Sequence, residues 1–324
     1  MDYRPLGRSG LRVSAIGIGS WLTYGRSVDE RSAFKCLSKA LDVGINFFDT
    51  ADVYAAGQAE TVLGRWLPNT SRSDIVLATK VYFPVGDGPN DKGLSRKHIV
   101  EQCEGSLRRL NVEYIDLYQC HRFDDSVPLA ETLRALDDLI AQGKVLYAGV
   151  SEWSGAQITE AAGIQKALGL RPLISNQPQY SLLARAIEDD VVPASLEHGL
   201  GQVVWSPLAG GVLTGKYVPG SPSPAGSRGA DAESNMFMSR LLVDEVLEAV
   251  QRLDREVASE LGISVAELSL AWILHQPGVS SAIVGATTVS QVEENAAAAD
   301  IALDARTLER VEEIMGPFRR QNQL

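Results

Sequence analysis

The sequence predicts an α/β fold of the (β/α)8 type, a TIM barrel, and three features of the chain support this prediction. Short apolar runs alternate with longer amphipathic segments, which is typical of parallel strands joined by helical crossovers. Eight such runs can be counted, and the first three begin about thirty residues apart. Polar or aromatic residues follow almost every run, as expected where an active site lies at the carboxyl ends of barrel strands.

The eight predicted strands are short runs of mostly apolar residues and cover residues 14–19, 45–49, 75–79, 115–120, 147–150, 173–175, 203–205 and 282–285. Amphipathic patterns between them predict helices over 31–43, 96–110, 129–142, 156–168 and 187–198, with caps at Ser95, Gly143 and Gly169. Two consecutive helices, 241–261 and 265–275, precede the last strand, and a further helix covers 305–315. A hairpin over 3–13, turning at Arg8-Ser9-Gly10, opens the chain, and residues 209–240 are predicted to form a long loop.

Length and composition are those of a globular barrel protein. At 324 residues the chain is expected to form one domain over 1–324, because barrels of this kind reach that size as a single unit. The 30 Lys and Arg against 41 Asp and Glu give a net charge of −11, which opposes binding to nucleic acid or to an anionic membrane surface. No leader and no run of about 18 apolar residues is seen, so we expect a cytoplasmic protein without membrane insertion. The three widely spaced cysteines favour neither disulfides nor a metal site, and a homo-oligomer is left open.

Four residues at the predicted strand ends form a candidate catalytic group. Asp49 ends the second strand, and Tyr54 follows five residues later, near enough for the loop to fold back over that strand end. Lys80 comes at the end of the third strand and His121 at the end of the fourth. Each has a simpler alternative, since Asp and Tyr are common in caps and turns, a lysine can extend past a rim, and a single histidine is often structural.

Taken together, these four side chains have the chemistry of a proton donor supported by a buried cation. An ion pair between Asp49 and Lys80 would keep the lysine charged and oriented. A nearby ammonium favours the phenolate, so we expect the pKa of Tyr54 to fall below its usual value of about 10 and its hydroxyl to donate a proton. His121 beside them would polarise a substrate carbonyl.

The group Asp49, Tyr54, Lys80 and His121 resembles the catalytic tetrad of the aldo-keto reductase superfamily. The chain is most similar to the branch that contains the voltage-gated potassium channel β subunits and their microbial relatives. The resemblance extends essentially from end to end and includes the motifs L-G-R-S-G-L-R-V-S, G-I-G-S-W, F-D-T-A-D-V-Y-A-A-G-Q-A-E-T-V-L-G, S-N-Q-P-Q-Y, W-S-P-L-A-G-G-V-L-T-G-K-Y and I-V-G-A-T-T-V-S-Q-V-E-E-N. Motifs of this length and order are highly specific.

The resemblance implies an oxidoreductase that reduces small aldehydes or ketones to alcohols with NADPH bound across the barrel mouth. In agreement, the sequence has no G-x-G-x-x-G turn between a strand and a helix. Hydride would pass to the carbonyl carbon while Tyr54 donates a proton to the oxygen. The residues implied to bind NADPH or NADP+ are Ser20, Trp21, Asp49, Ser151, Gln177, Trp205, Ser206, Pro207, Leu208, Gly211, Lys216, Arg228, Gly285, Thr287, Gln291, Glu294 and Asn295.

Two positions depart from the pattern of the channel branch. His121 stands where channel β subunits carry Asn, which favours an active reductase over the alternative of an NADP(H)-binding regulatory subunit with little turnover. Glu152 stands where relatives carry Arg or Asn, and it is left out of the predicted site because a carboxylate cannot donate to the cofactor.

A second rival from the residues alone is a metal-dependent barrel hydrolase. Such an enzyme would use Asp49, Asp52, Cys120 and His121, but the chain lacks a second histidine at a strand end. We therefore expect no metal. Four aromatic residues near the same rim are predicted to line a substrate pocket: Trp21, Tyr82, Phe83 and Phe123.

Overall fold

The computed structural model describes residues 1–25, 28–231 and 238–320, and it shows a closed barrel of eight parallel strands surrounded by helices. An antiparallel hairpin of β1 (Tyr3–Pro5) and β2 (Arg12–Ser14) comes first, as predicted. The barrel strands are β3 (Ile16–Gly19), β4 (Phe47–Asp49), β5 (Val76–Val81), β6 (Ile115–Cys120), β7 (Val145–Ser151), β8 (Ser175–Gln177), β9 (Gly201–Val204) and β10 (Val279–Val284). They follow one another in chain order around the barrel, and β10 pairs with β3 to close it. The predicted (β/α)8 fold is confirmed.

Several strand ends differ from the predicted ones because pairing with a neighbour, rather than local apolar character, decides where a strand stops. Lys80 was predicted to follow the third barrel strand, but it lies inside β5, opposite Gln119 of β6. Gln177 was likewise predicted to follow a strand, but it pairs with Ser151 of β7 and belongs to β8. These polar residues continue the ladders, so their side chains are held by the barrel wall itself.

The predicted helices are present, with shifts of a few residues at some ends, and the structure adds two more over Gln58–Trp66 and Val289–Ala297. They are α1 (Glu30–Asp42), α2 (Gln58–Trp66), α3 (Arg96–Leu110), α4 (Leu129–Ala141), α5 (Gly155–Leu168), α6 (Val191–His198), α7 (Asp244–Leu253), α8 (Val265–His275), α9 (Val289–Ala297) and α10 (Ala305–Met315). Ser95 caps α3 by accepting from the His98 amide, and Gly169 ends α5 in the left-handed conformation. The chain continues from α7 through a π-type turn, Asp254–Ala258, and a last turn, Ser259–Leu261.

Two hydrophobic cores hold the barrel together. The inner core fills the barrel and includes Phe47, Leu117 and Val203 from its strands. The hairpin adds Leu6 and Val13 to this inner core, so it packs against the barrel interior. The outer core lies between the strands and the helices and is much larger. Every residue of β5, β6 and β10 is buried, as expected for parallel strands covered on both faces, so polar residues such as Lys80 and Asp116 are buried with them.

The segment after β9 contains several short turns where the sequence predicts one long loop. Its described parts include 3-10 turns at Ala209–Thr214, Arg228–Ala230 and Ser239–Leu241. Residues 232–237 of the predicted loop lie outside the described residues. Among the described residues, no single helix is long and apolar enough to cross a membrane, and only the pair Asp244–Leu261 and Val265–His275, bent by 83°, meets the length and composition criteria together.

Two glycines in helices provide a matched test of how closely the helices pack around the barrel. Gly64 of α2 faces the backbone of α3, and a Cβ there would collide with the carbonyl oxygen of Arg109. Gly64→Ala should therefore lower the free energy of unfolding by roughly 1–3 kcal/mol. Gly163 of α5 has nothing within 4 Å of an added Cβ, so Gly163→Ala should raise it by roughly 0.5–1 kcal/mol through helix propensity. Urea unfolding of both variants measures these changes, and equal effects would contradict the close contact between α2 and α3.

Candidate active site

The four candidate catalytic side chains meet at the carboxyl ends of three adjacent strands. Asp49 ends β4, Lys80 lies near the end of β5, and His121 directly follows β6. Lys80 Nζ lies 2.6 Å from Asp49 Oδ2 and 3.3 Å from the Tyr54 hydroxyl. The Tyr54 hydroxyl is in turn 3.5 Å from His121 Nε2. The phenol oxygen is thus placed between an ammonium and an imidazole.

An unusual turn after β4 brings Tyr54 over the strand end. The Thr50 amide donates to the carbonyl of Ala78 at 2.9 Å and ties the start of this loop to β5. Ala55 and Ala56 both have positive φ, 49° and 52°, which costs on the order of 1 kcal/mol for each residue with a side chain. Gly57 follows at φ 85°, which only glycine adopts readily. Local preference does not favour this turn, so tertiary contacts must hold Tyr54 in place.

Lys80 and Asp49 form a buried ion pair. The lysine side chain is 0% exposed and that of Asp49 is 4% exposed. Burial opposes the lysine charge, but Asp49 and Tyr54 outweigh it and raise the pKa of Lys80 above its usual value. Gln177 Nε2 donates to Asp49 Oδ1 at 2.9 Å, so the carboxylate has a second partner besides the ammonium. Lys80 is therefore charged at neutral pH and fixed in direction.

The pKa of Tyr54 corrects one prediction from the sequence. Burial raises the pKa of the Tyr54 phenol more than the Lys80 ammonium lowers it, so the net shift is upward from the ordinary value. The contribution of Lys80 has the predicted sign, but the prediction of a lowered pKa is wrong for this structure because desolvation of the phenolate is the larger effect. At neutral pH Tyr54 therefore carries its proton, as a proton donor must.

His121 is a neutral imidazole in this environment. Burial lowers the pKa of His121 well below its usual value, and the charges of Lys80 and Arg122 lower it further. The ring packs edge-on against Tyr54, with centroids 5.6 Å apart, and against Phe83, with centroids 4.8 Å apart. With the proton on Nε2, the neutral ring can donate one hydrogen bond on the side that faces the Tyr54 hydroxyl.

Three of the residues predicted to bind the cofactor are joined to the catalytic group by hydrogen bonds. The Ser20 hydroxyl donates to Thr50 Oγ1 at 2.8 Å, next to Asp49 in sequence. The Ser151 hydroxyl donates to the backbone oxygen of Gln177 at 2.8 Å. Gln177 uses its side-chain nitrogen on Asp49, so its amide oxygen is the group left to accept a hydrogen bond from a ligand. Hydrogen bonds therefore connect the catalytic group to residues at the ends of β7 and β8.

Glu152 is a site residue that the sequence analysis left out. Its Oε1 accepts from the indole Nε1 of Trp205 at 2.7 Å and from the backbone amide of Gln179 at 2.6 Å. Trp205 packs edge-on against Trp21, with ring centroids 6.2 Å apart. Glu152 therefore orients a tryptophan predicted to contact the cofactor, although it cannot donate to a ligand. The feature of the sequence that could have pointed to Glu152 is its position next to Ser151, a residue predicted to bind the cofactor.

The remaining predicted cofactor residues lie around the ends of β9 and β10. A Cβ on Gly211 would lie 3.1 Å from Lys216 Nζ, and one on Gly285 would lie 3.5 Å from Arg228 Nη2, so each cation lies over a glycine. The Thr287 amide donates to Gln291 Oε1 at 2.8 Å at the start of α9. The other members of the predicted set are Ser206 with φ 55°, buried Pro207, half-buried Leu208, exposed Glu294 and buried Asn295.

Arg228 shows that this rim suits an anion. The side chain is half-buried, and burial lowers the pKa of Arg228 below its usual value, yet no carboxylate among the described residues pairs with it. An arginine remains charged under such conditions and gains most from a planar anion such as a phosphate. Thr288, which follows soon after the Gly285 that Arg228 contacts, caps α9, and the helix N-terminus also favours negative charge. These residues fit the phosphate groups of a dinucleotide.

Comparison with known proteins identifies the family. The model of the aldo/keto reductase family matches residues 15–315. The chain belongs to the aldo/keto reductase family. The resemblance seen in the motifs is confirmed, and membership supports an oxidoreductase of a family that typically uses NAD(P)H.

The aldo/keto reductase is also similar to curated proteins named after potassium channels. A probable voltage-gated potassium channel subunit beta of Arabidopsis thaliana is 45% identical over 320 residues, covering 97% of each chain. A protein with the same name from Oryza sativa subsp. japonica is 47% identical over 304 residues, covering 93% of this chain and 92% of its own. A putative one from Schizosaccharomyces pombe is 42% identical over 327 residues, covering 97% and 93%.

The residues considered for a metal-dependent rival do not gather into a metal site in this aldo/keto reductase. Within residues 1–25, 28–231 and 238–320, no three His, Cys, Asp or Glu side chains are grouped so that they could hold an ion. Burial raises the pKa of the Cys120 thiol to about 12, so the thiol is protonated at neutral pH.

Asp52 belongs instead to a buried acidic group behind the tetrad. It is 2% exposed, and neither carboxyl oxygen has a hydrogen-bond partner among the described residues. Burial, together with the nearby Glu60 carboxylate, raises the pKa of Asp52 to about 8, although Arg109 opposes the shift. Glu60 itself accepts from Thr79 Oγ1 and Arg109 Nε, both at 2.6 Å. Asp52 is therefore largely protonated at neutral pH.

The raised pKa of Asp52 predicts how stability depends on pH. The folded state holds this proton more tightly than the unfolded chain, so the contribution of Asp52 to wild-type stability falls as pH rises from about 4 through about 8. Asp52→Asn has no proton to lose, and its stability relative to wild type should increase by up to about 1.4 kcal/mol per pH unit in that range. Thermal unfolding from pH 5 to pH 8 measures the difference, with Asp87→Asn as an exposed control. A difference that is constant with pH would show that Asp52 is ionised in the folded protein.

Proposed function

We propose that this protein is an NADPH-dependent reductase that converts aldehydes or ketones to alcohols, with Tyr54 as the general acid. The observation that carries the proposal is the Tyr54 hydroxyl held 3.3 Å from Lys80 Nζ and 3.5 Å from His121 Nε2. A carbonyl oxygen that accepts from both the phenol and the imidazole would be polarised at the point where negative charge develops.

The roles follow from the protonation states of the four residues. The chemistry that bound NADPH supplies is a hydride for the carbonyl carbon. Tyr54 donates its proton to the carbonyl oxygen, and the Lys80 ammonium stabilises the phenolate that results. Asp49 keeps Lys80 charged and directed at the phenol. His121 is neutral, so it orients and polarises the carbonyl through a hydrogen bond without taking up a proton.

The proposed cofactor site lies along the rest of the barrel mouth. Ser151 and Gln177 would hydrogen-bond the carboxamide, and Trp205, oriented by Glu152, would contact the nicotinamide. The backbone of 206–208 and Gly211 would pass the pyrophosphate. The remaining phosphates and the adenosine would be bound by Lys216, Arg228, Gly285, Thr287, Gln291, Glu294 and Asn295.

A second candidate function is that of an NADP(H)-binding regulatory β subunit of a potassium channel. The observation that favours it is the name shared by relatives that are 42–47% identical over nearly the whole chain. Against it stands His121, which completes a proton-donating group with Tyr54 and Lys80. The cytoplasm and a small carbonyl substrate stay predictions under either function.

Cofactor preference tests the phosphate site. The charges of Lys216 and Arg228 lie at a rim of an otherwise acidic chain, and charge-assisted hydrogen bonds to a 2′-phosphate should favour NADPH over NADH at least about tenfold in Kd. Fluorescence titration of the wild-type protein with each nucleotide measures this ratio. Equal affinities for the two nucleotides would contradict the proposed 2′-phosphate site.

Tyr54→Phe tests the proton donor. The ring stays and only the hydroxyl is lost, so kcat for aldehyde reduction should fall by roughly 10² or more while NADPH affinity is retained. Tyr3→Phe, which removes a hydroxyl bound to the Gly44 carbonyl in the hairpin region, is the matched control.

NADPH consumption with a panel of aldehydes gives both readouts. A Tyr54→Phe variant that keeps most of its activity would show that another group is the acid. A wild-type protein that binds NADPH tightly but consumes none with any aldehyde or ketone would favour the regulatory function instead.

A further inference from the structure

Seven arginines are half-buried among the described residues, and two of them lack a carboxylate partner. Arg4, Arg72, Arg109, Arg185 and Arg310 all form ion pairs with Asp or Glu side chains. Arg122 and Arg228 form none with any described residue, although the chain carries 41 acidic residues. The proposed cofactor phosphates account for Arg228. No role in the proposed reaction explains the missing carboxylate partner of Arg122.

Arg122 lies on the substrate side of the barrel mouth. It directly follows His121, and its Nη1 donates to the His121 carbonyl oxygen at 2.6 Å. Its guanidinium carbon lies 5.5 Å from the centre of the Phe83 ring, and Phe83 in turn packs edge-on against the His121 imidazole. These residues follow β5 and β6, whereas Lys216 and Arg228 follow β9.

The charge of Arg122 is not balanced within the candidate site. Lys80 is paired with Asp49, and His121 is neutral, so the guanidinium leaves one net positive charge among these side chains. Its field extends to the reacting groups, because it lowers the pKa of both Tyr54 and His121. The carboxylate of Asp124, two residues away, is engaged by the amides of Leu94 and Ser126. A partly buried guanidinium next to an aromatic wall is suited to bind a planar anion.

We propose that Arg122 binds a carboxylate carried by the carbonyl substrate, so that the preferred substrates are aldehydes or ketones with an anionic group on the side away from the reacting carbonyl. This inference rests on the proposed reductase function. The carbonyl lies at Tyr54 and His121, the apolar part of the substrate packs against Phe83, and the carboxylate reaches the guanidinium. In an acidic chain this one charge separates anionic substrates from neutral ones of the same shape.

The test compares an anionic substrate with its neutral methyl ester, and it measures how a variant changes the ratio between the two. Wild-type protein should reduce 3- or 4-carboxybenzaldehyde with a kcat/KM at least about tenfold above that of the corresponding methyl ester, because of the charge-assisted contact. Arg122→Met should lower this acid-to-ester ratio at least about tenfold, mostly through KM, and Arg122→Lys should restore part of it. The ratio within each variant removes any general effect of Arg122 on Tyr54 or His121. Arg134→Met removes the same charge from the exposed face of α4 and should leave the ratio unchanged.

The outcomes separate this inference from the proposed function. A wild-type ratio near one, or a ratio that Arg122→Met does not change, would overturn the role of Arg122 while reduction of both aldehydes upholds the reductase. If neither aldehyde is reduced, the reductase function is judged with the wider panel of aldehydes and ketones, and the anion site is judged by calorimetry with 4-carboxybenzyl alcohol and benzyl alcohol. Tighter binding of the carboxylate that is lost in Arg122→Met would support the site, and equal binding of the two alcohols would overturn it.

Discussion

The buried ion pair between Lys80 and Asp49 is the interaction on which the candidate site depends. Both charges are almost fully removed from water, and removing one partner from such a pair typically costs about 3–5 kcal/mol. The pair is tolerated because its polar atoms are satisfied. Lys80 also donates to the Thr50 carbonyl at 2.8 Å, and Asp49 also accepts from Gln177. The same contacts direct the ammonium at Tyr54, so the stability of the barrel mouth and its chemistry share one set of hydrogen bonds.

Burial shifts the pKa values of the groups around this ion pair in opposite directions. It keeps Tyr54 and Asp52 protonated by raising the pKa of each, and it keeps His121 neutral by lowering its pKa. Lys80 stays charged, because Asp49 compensates for its desolvation. The site at neutral pH therefore holds a neutral acid and a neutral imidazole beside the fixed Lys80 ammonium. This combination is suited to donating a proton to a carbonyl oxygen.

Unpaired positive charge explains how an acidic protein could recognise anions. The net charge of −11 repels anions on average, so recognition must come from local groups. Arg228 and Arg122 are half-buried without carboxylate partners in the described part of the chain, and they follow different strands of the barrel. Glu152 brings a negative charge to the same rim, but it is committed to Trp205 and Gln179. Recognition of an anion at the barrel mouth therefore depends on which individual charged side chains lack a partner, and not on the net charge of the chain.

The sequence by itself determined the barrel, the order of its strands and the four residues that meet at its mouth. This was possible because the carboxyl ends of parallel barrel strands converge, so residues such as Asp49 and His121 can be placed together without knowing any distance. Only the tertiary structure decided the left-handed turn that carries Tyr54, the net direction of its pKa shift and the contact of Glu152 with Trp205. Each of these depends on how loops pack and on how burial balances against a nearby charge, and neither quantity is encoded in local sequence.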